Sequence, residues 1–482
     1  MRPATFTTGF LLLALGCAPL PRTEVEFPSD EGPDDDDDSA DDDDSADDGD
    51  GPPPAWPEYP HLDDVVDLAR GETPVWASIT SVRDEAAGTG FRSYSYADTA
   101  DRTDFWVAST IKTYTATAAL VLLADFGLSL DTTATFFRRA GPDDAWVEDA
   151  SATFRQMIFD VFDHSSNSAY TLLLRFAGAD WLNAEFLTED HGLGGSALLV
   201  GYVSERPWQY RLGEEQRIVL VDGETRVERT HAWSGTPYDD DVGCAFRYGA
   251  RANCSPPAEL AEHMRRLFFH EVLPESEQFD VEPSMLDWMR YGDGDVKVMN
   301  QGDSPYAQGI LRVFPDAAYH HKAGRVGRFA LDMHYVDDLE SDTRFAAAVA
   351  TESEGTAAYR KVSEELTRML ATPATYVHLD TLVDHVNPVE ADLWVHSEVP
   401  GTLELASKPF SEDGMDPDGW DSMPGTAVEV ARGDGWHALG SVCLDAERHG
   451  RHHVRGRFTA EDGTVSTSDL HYVVVDANLP CP

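Results

Sequence analysis

Ser109 and Lys112 are the residues of this 482-residue chain whose types and spacing most directly offer chemistry. They stand three apart in Ser109-Thr110-Ile111-Lys112, at the head of a long apolar run, and on a helix positions i and i+3 share a face. A serine near the positive end of a helix dipole is placed to act as a nucleophile. A lysine one turn on can take its proton if burial or nearby cations lower the ammonium pKa. An S-x-x-K tetrapeptide also arises by chance, so the pair needs support from elsewhere in the chain. Two further groups could supply it: Ser165-Ser166-Asn167, just ahead of a helical pattern, and Lys322-Ala323-Gly324 on a strand pattern, followed by Arg325, Gly327 and Arg328.

The elements that must position these residues read as an α+β domain. Residues 61–70 predict a short helix, and 74–82 and 91–96 predict strands joined by a turn at Gly88-Thr89-Gly90. Residues 111–126 are apolar nearly all round, which predicts a buried central helix capped by Gly127. Further helices are predicted over 152–178, 257–272 with Ser255 as cap, and 284–290. Between them, RIVLVDGETRVERTHAW predicts a hairpin turning at Asp222-Gly223. Strand patterns return over 318–324, 328–336 and 344–353, and a helix over 355–370 closes the unit. One sheet is therefore expected to draw strands from both ends of the domain. After Pro373, short strand patterns separated by Gly, Pro and Asp predict a small β-sandwich.

Composition narrows the setting. The formal net charge of -51 excludes phosphate-backbone binding as a main function, since that needs Lys and Arg in excess. Arg2 and the short apolar run to Leu15 read as an export signal rather than a membrane span. Gly16-Cys17 resembles a bacterial lipoprotein signal, with Cys17 as the lipidated residue; an ordinary secretory signal is the other reading. Residues 34–50 hold twelve Asp and should form a solvated spacer. If Cys17 is lipidated, four cysteines remain, and proximity suggests Cys244–Cys254 and Cys443–Cys481, one of three possible connectivities. The expected organisation is a signal over 1–17, an acidic linker over 18–57, a catalytic domain over 58–372 with an atypical insertion at 196–254, and a β domain over 378–482. The expected location is the bacterial cell envelope, as a lipid-anchored monomer. No cofactor is called for. His320-His321 sit on a strand, one facing each side, without a partner cluster for a metal.

In order, S-x-x-K, S-x-N and K-x-G resemble the three-part signature of the penicillin-recognising serine enzymes, class A β-lactamases and their D,D-peptidase relatives. The context agrees: FWVASTIK with DFGLSLD at the end of its helix, SSNSAYTLLLRFAG, SPPAELAEHMRRLF and MLDWMRYGD. The resemblance spans about residues 60 to 370, apart from 196–250. It implies that Ser109 forms an acyl-enzyme on a β-lactam or a peptidoglycan amide. Lys112 would hold the Ser109 proton, and Ser165 would pass it to the leaving nitrogen. Asn167 would bind the substrate amide, and Lys322 with Arg325 or Arg328 would attract its carboxylate. Gly324 completes the third motif, and the backbone N–H groups of Ser109 and Arg325 would form the oxyanion hole. Two positions depart from the family. Ala323 replaces the usual hydroxyl residue, and the E-x-x-L-N loop that drives deacylation has no clear match. Glu205 is its best positional candidate, followed by Glu214 and Glu215; plain surface carboxylates are the other reading. The rivals to a β-lactamase-like hydrolase are a D,D-peptidase or another hydrolase using the same pair, and a scaffold that binds cell-wall fragments without turnover.

Overall fold

The computed structural model describes residue 56 and residues 58–475, apart from 86–87, 140, 142, 203–214, 233–243, 245–252, 295, 300–303, 354, 381–388, 410–418 and 443–449. The chain divides into Met1–Pro53 and Pro54–Pro482. Cys17, the acidic run, Glu205, Glu214, Cys443 and Cys481 lie outside the described residues.

The architecture is α+β, as expected from the sequence. Helix α1 (Leu62–Arg70) precedes strands β1 (Val75–Glu85) and β2 (Gly88–Ser95). Gly88 to Gly90, expected as the turn, lie inside β2 instead. A short 3₁₀ turn, Ala108–Ile111, leads into α2 (Lys112–Asp125). This helix is buried on every side along its first nine residues, as its lack of a polar face requires. Gly127 ends it at φ +63°, a left-handed conformation that favours glycine.

Beyond α2 come β3 (Thr133–Arg138), β4 (Val147–Thr153), α3 (Phe154–Asp163) and α4 (Asn167–Ala177). The expected hairpin forms as β5 (Gln216–Asp222) and β6 (Thr225–His231), with Gly223 at φ +58° in its turn. It does not stand alone: β5 pairs with β3, giving a four-stranded sheet in the order β4-β3-β5-β6. The strands β3 and β4 carry Thr, Phe and Val but no long alternating run, which is why their pattern was not read from sequence.

Then follow α5 (Pro257–Phe268), α6 (Pro283–Tyr291), α7 (Pro305–Val313), β7 (Ala318–Val326), β8 (Phe329–Asp338), β9 (Thr343–Glu352) and α8 (Ala357–Ala371). Ser255 is not the cap of α5. Pro256 holds that position, and the Ser255 hydroxyl is tied to Tyr114 and Ser196 instead. The main sheet runs β2-β1-β9-β8-β7, so its strands do come from both ends of the domain. One face of this sheet packs on the helical core around α2, α4 and α5. The other packs on α1, α7 and α8.

The last part holds β10 (Thr375–Leu379), β11 (Val389–Ser397), β12 (Gly401–Pro409), β13 (Asp421–Ser422), β14 (Val428–Val430), β15 (Gly433–Val442), β16 (Gly450–Ala460), β17 (Val465–Thr467) and β18 (His471–Val475). One sheet runs β10-β11-β15; the other runs β13-β12-β16-β17, with β14 and β18 on its flanks. Val377, Leu393 and Val395 of the first sheet meet Leu403, Leu405, Val454 and Phe458 of the second. This is the layered core of a sandwich. The unit is joined to the main domain where Tyr376 and Trp394 enter the α1–α8 cluster, and His61 stacks on His396 at 3.8 Å.

Candidate active site

Ser109 sits at the entry to α2, where two features hold the backbone in a special shape. Ala108 takes φ +47°, a left-handed conformation unusual for a residue with a Cβ. The Tyr202 hydroxyl donates to the Ala108 carbonyl at 3.0 Å and so fixes this turn from outside. Strand β7 then comes very close. A Cβ at Gly324 would lie 2.9 Å from the Ser109 nitrogen and 3.1 Å from that of Thr110, so only glycine lets the strand approach there.

Ser165 and Asn167 reach the same place from the start of α4. The Ser166 side chain caps the helix by accepting from the Ala169 N–H at 3.2 Å. Ser165, just outside, takes φ +49°. Lys112, fully buried, donates to Asn167 Oδ1 at 2.7 Å, to Ser165 Oγ at 3.3 Å and to the Ser165 carbonyl. Lys322 donates to the same Ser165 hydroxyl at 3.0 Å and to the Ala323 carbonyl at 3.1 Å. Ser165 thus lies between two ammonium groups.

That crowding sets the charges. Burial, and then repulsion from Lys322, lower the Lys112 pKa to about 7. Burial lowers Lys322 to about 8, with the Asp332 carboxylate pulling the other way. Asp332 is itself fully buried. Burial would raise its pKa, but His321 and His334 beside it outweigh that and hold it well below the ordinary carboxylate range. It accepts from Tyr319 Oη at 2.8 Å and lies 2.8 Å from His321 Nδ1.

Ser109, Ser165, Ala323, Gly324 and Arg325 line one cleft of about 330 Å³, whose far wall is made by Ser304, Leu331, Thr356 and Tyr359. Such a volume suits a small molecule or a peptide terminus. The Tyr359 hydroxyl is buried in this wall with no hydrogen-bond partner among the described residues. None of the Lys112 hydrogen bonds goes to Ser109. A base–nucleophile bond of this kind often tightens only when substrate binds.

The structure therefore gathers Ser109, Lys112, Ser165, Asn167, Lys322, Gly324 and Arg325 at one cleft. Arg328 does not join them: it is turned to solvent in the β7–β8 hairpin and paired with Glu352. Glu215 pairs with Arg139. Asp222 binds Ser129 and Thr132, and Glu228 binds Arg217, so both serve the second sheet. Glu205 and Glu214 lie outside the described residues. Cys244 and Cys254 form a disulfide, as proximity suggested. His320 and His321 do face opposite sides, His320 toward Phe268 and His321 toward Asp332.

Three residues of the site were missed. Asp332 carried a signal, as a lone acid inside the apolar strand pattern ALDMHY. Tyr202 and Tyr359 carried none, because nothing in their own segments points to a cleft built by distant residues. The Tyr202 ring lies 5.8 Å from Lys112 Nζ, and the residue belongs to the segment expected as an insertion.

No protein-family model matches the sequence, and no curated protein does either. Among solved structures, the chain is similar to a β-lactamase from Sphaerobacter thermophilus at 16% identity and a TM-score of 0.42, covering 66% of this chain and 97% of that one. It is similar to PBP-A at 17% identity and a TM-score of 0.43, covering 66% and 97%. A β-lactamase from Chitinophaga pinensis follows at 16% identity and a TM-score of 0.39, covering 65% and 97%. At these identities the chemistry rests on the geometry of the cleft itself.

Proposed function

We propose that this protein is an exported serine hydrolase that forms an acyl-enzyme on β-lactams or related peptidoglycan amides. The observation that carries the reading is the environment of Lys112. It is fully buried, held by Ser165 and Asn167, and faced by a second ammonium, so a neutral amine is accessible near pH 7 one helical turn from Ser109. In this reading Ser109 Oγ attacks the carbonyl while Lys112 accepts its proton. Ser165, bonded to both lysines, returns a proton to the leaving nitrogen. Asn167 accepts from Lys112 through Oδ1, which leaves its amide N–H groups for the substrate. Lys322 and Arg325 attract the substrate carboxylate. The N–H groups of Ser109 and Arg325 are the proposed oxyanion hole, worth about 3–4 kcal/mol per donor.

A slowly deacylating, D,D-peptidase-like enzyme is the second reading. It is favoured by Glu215, Asp222 and Glu228 serving other contacts rather than the cleft. A fluorescent penicillin separates the cases, with Ser109→Ala as control. Wild type is expected to carry a covalent label that the variant lacks. Rapid loss of the label with β-lactam consumption marks a β-lactamase, and persistent label a peptidase. No Ser109-dependent label and no consumption would leave only the non-catalytic scaffold.

A further inference from the structure

Outside the residues that line the cleft, three side chains converge where α8 meets the β strands that follow it. Glu365 comes from α8, His378 from β10 and Asp469 from the segment between β17 and β18, and one ligand atom of each lies within 4.8 Å of the others. Glu365 and His378 are wholly buried. Their hydrogen bonding is incomplete. Tyr376 donates to Glu365 Oε2 at 2.6 Å, yet among the described residues Oε1 has no hydrogen-bond partner and neither ring nitrogen of His378 has one. His378 Nδ1 and Glu365 Oε1 face each other at 3.6 Å, too far for a hydrogen bond. Buried polar atoms left in this state are costly and rare, and each calls for a partner.

Arg368 and Lys361 lend charge to this corner but, among the described residues, make no hydrogen bond to Glu365 Oε1 or His378. Arg368 directs its guanidinium to Glu364 at 2.7 Å and to the Thr467 carbonyl at 3.2 Å. His471 bonds Asp469 at 3.1 Å from its outer side. Tyr376 and His471 thus each hydrogen-bond one of the two carboxylates, as the partners of metal ligands commonly do.

We infer that Glu365, His378 and Asp469 form a zinc site that fastens the last helix of the catalytic domain to the β domain. One imidazole with two carboxylates suits Zn²⁺; a histidine ligand disfavours Mg²⁺ and Ca²⁺. Tetrahedral ligation needs donors about 3.3 Å apart, given metal–ligand distances of about 2.0–2.2 Å. Small side-chain rotations from the observed spacing reach this. The site is independent of the acyl-transfer reading, since no ligand touches the cleft.

The test uses the full chain, stripped with a chelator and titrated with Zn²⁺ against a chromophoric competitor. One ion per chain is expected to bind tightly and to raise the thermal midpoint. Glu365→Gln and His378→Gln are each expected to weaken that binding about 100-fold and to abolish the thermal shift. Asp469→Asn, at a less buried position, repeats the test if the other variants do not fold. Co²⁺ in place of zinc should give the visible absorption of a four-coordinate ion. Binding that persists unchanged in the variants would assign the ion to the Asp-rich segment and overturn the site. So would failure of the wild type to bind, which would leave Glu365 and His378 as an ion pair.

Discussion

At the scale of single residues, the cleft depends on lysines held away from their ordinary protonation. In the proposed mechanism Lys112 is neutral when it accepts a proton and Lys322 charged when it attracts an anion, while burial brings them to about 7 and about 8. As pH falls below about 7, Lys112 gains its proton and acylation should drop tenfold per unit. As pH rises above about 8, Lys322 loses its charge and substrate capture should fall. The second-order acylation rate is therefore expected to peak in a narrow window near pH 7–8, and a flat profile from pH 5 to 9 would remove Lys112 from the role of base. Lys112→Met should lower the rate by about 100- to 10,000-fold while the protein stays folded. Ser109 and Lys112 could be read from sequence because both lie on one local segment. Asp332 stands out as a lone acid in an apolar strand pattern, but its influence on Lys322 was hidden, since strand pairing is not written in any single segment.

At the scale of elements, the meeting of β7 with the turn before α2 sets where Ser109 stands in the cleft. Gly324→Ala would push a methyl group against backbone atoms of Ser109 and Thr110, so the strand or the turn must move. A displacement near 1 Å is expected to slow acylation about 100-fold, with the circular dichroism of the folded protein retained. Ala108→Gly is the matched control. It relieves a left-handed alanine, should stabilise the protein by about 1 kcal/mol and should leave acylation nearly intact. Equal loss in both variants would mean that the approach of β7 is not what matters. The main-sheet strands were legible because most are largely apolar or alternating runs bounded by Gly, Pro or acidic residues. The sheet β4-β3-β5-β6 was not, because β3 and β4 are short and only their pairing with the β5–β6 hairpin buries Phe136 and Ala134. Helix α7 was missed for a similar reason. It is one short amphipathic helix behind Pro305, with Gly309 packed against the backbone of α8.

At the scale of the whole molecule, separate devices fasten segments that the main sheet does not hold. The Cys244–Cys254 disulfide closes a loop of ten-residue separation beside Ala197 and Leu199. Replacing both cysteines by serine should cost about 2–3 kcal/mol, read as a lower denaturation midpoint; an unchanged midpoint would show that the loop contributes no constraint. The sandwich could be anticipated from turn spacing, whereas its attachment through Tyr376, Trp394 and His396 could not, since these residues look like ordinary strand aromatics until α1 lies beneath them. The sheet order has a consequence for how the molecule is made. β1 pairs with β9, Val75 opposite Thr351, so the first strand has no permanent neighbour on that side until almost the whole domain has emerged. Assembly must wait for distant partners, which makes folding slow and leaves the early strands unpaired meanwhile. A chain cut after α6 would hold Ser109, Lys112, Ser165 and Asn167 yet lack the strands that complete the sheet. Such a fragment should stay open and stick to its neighbours.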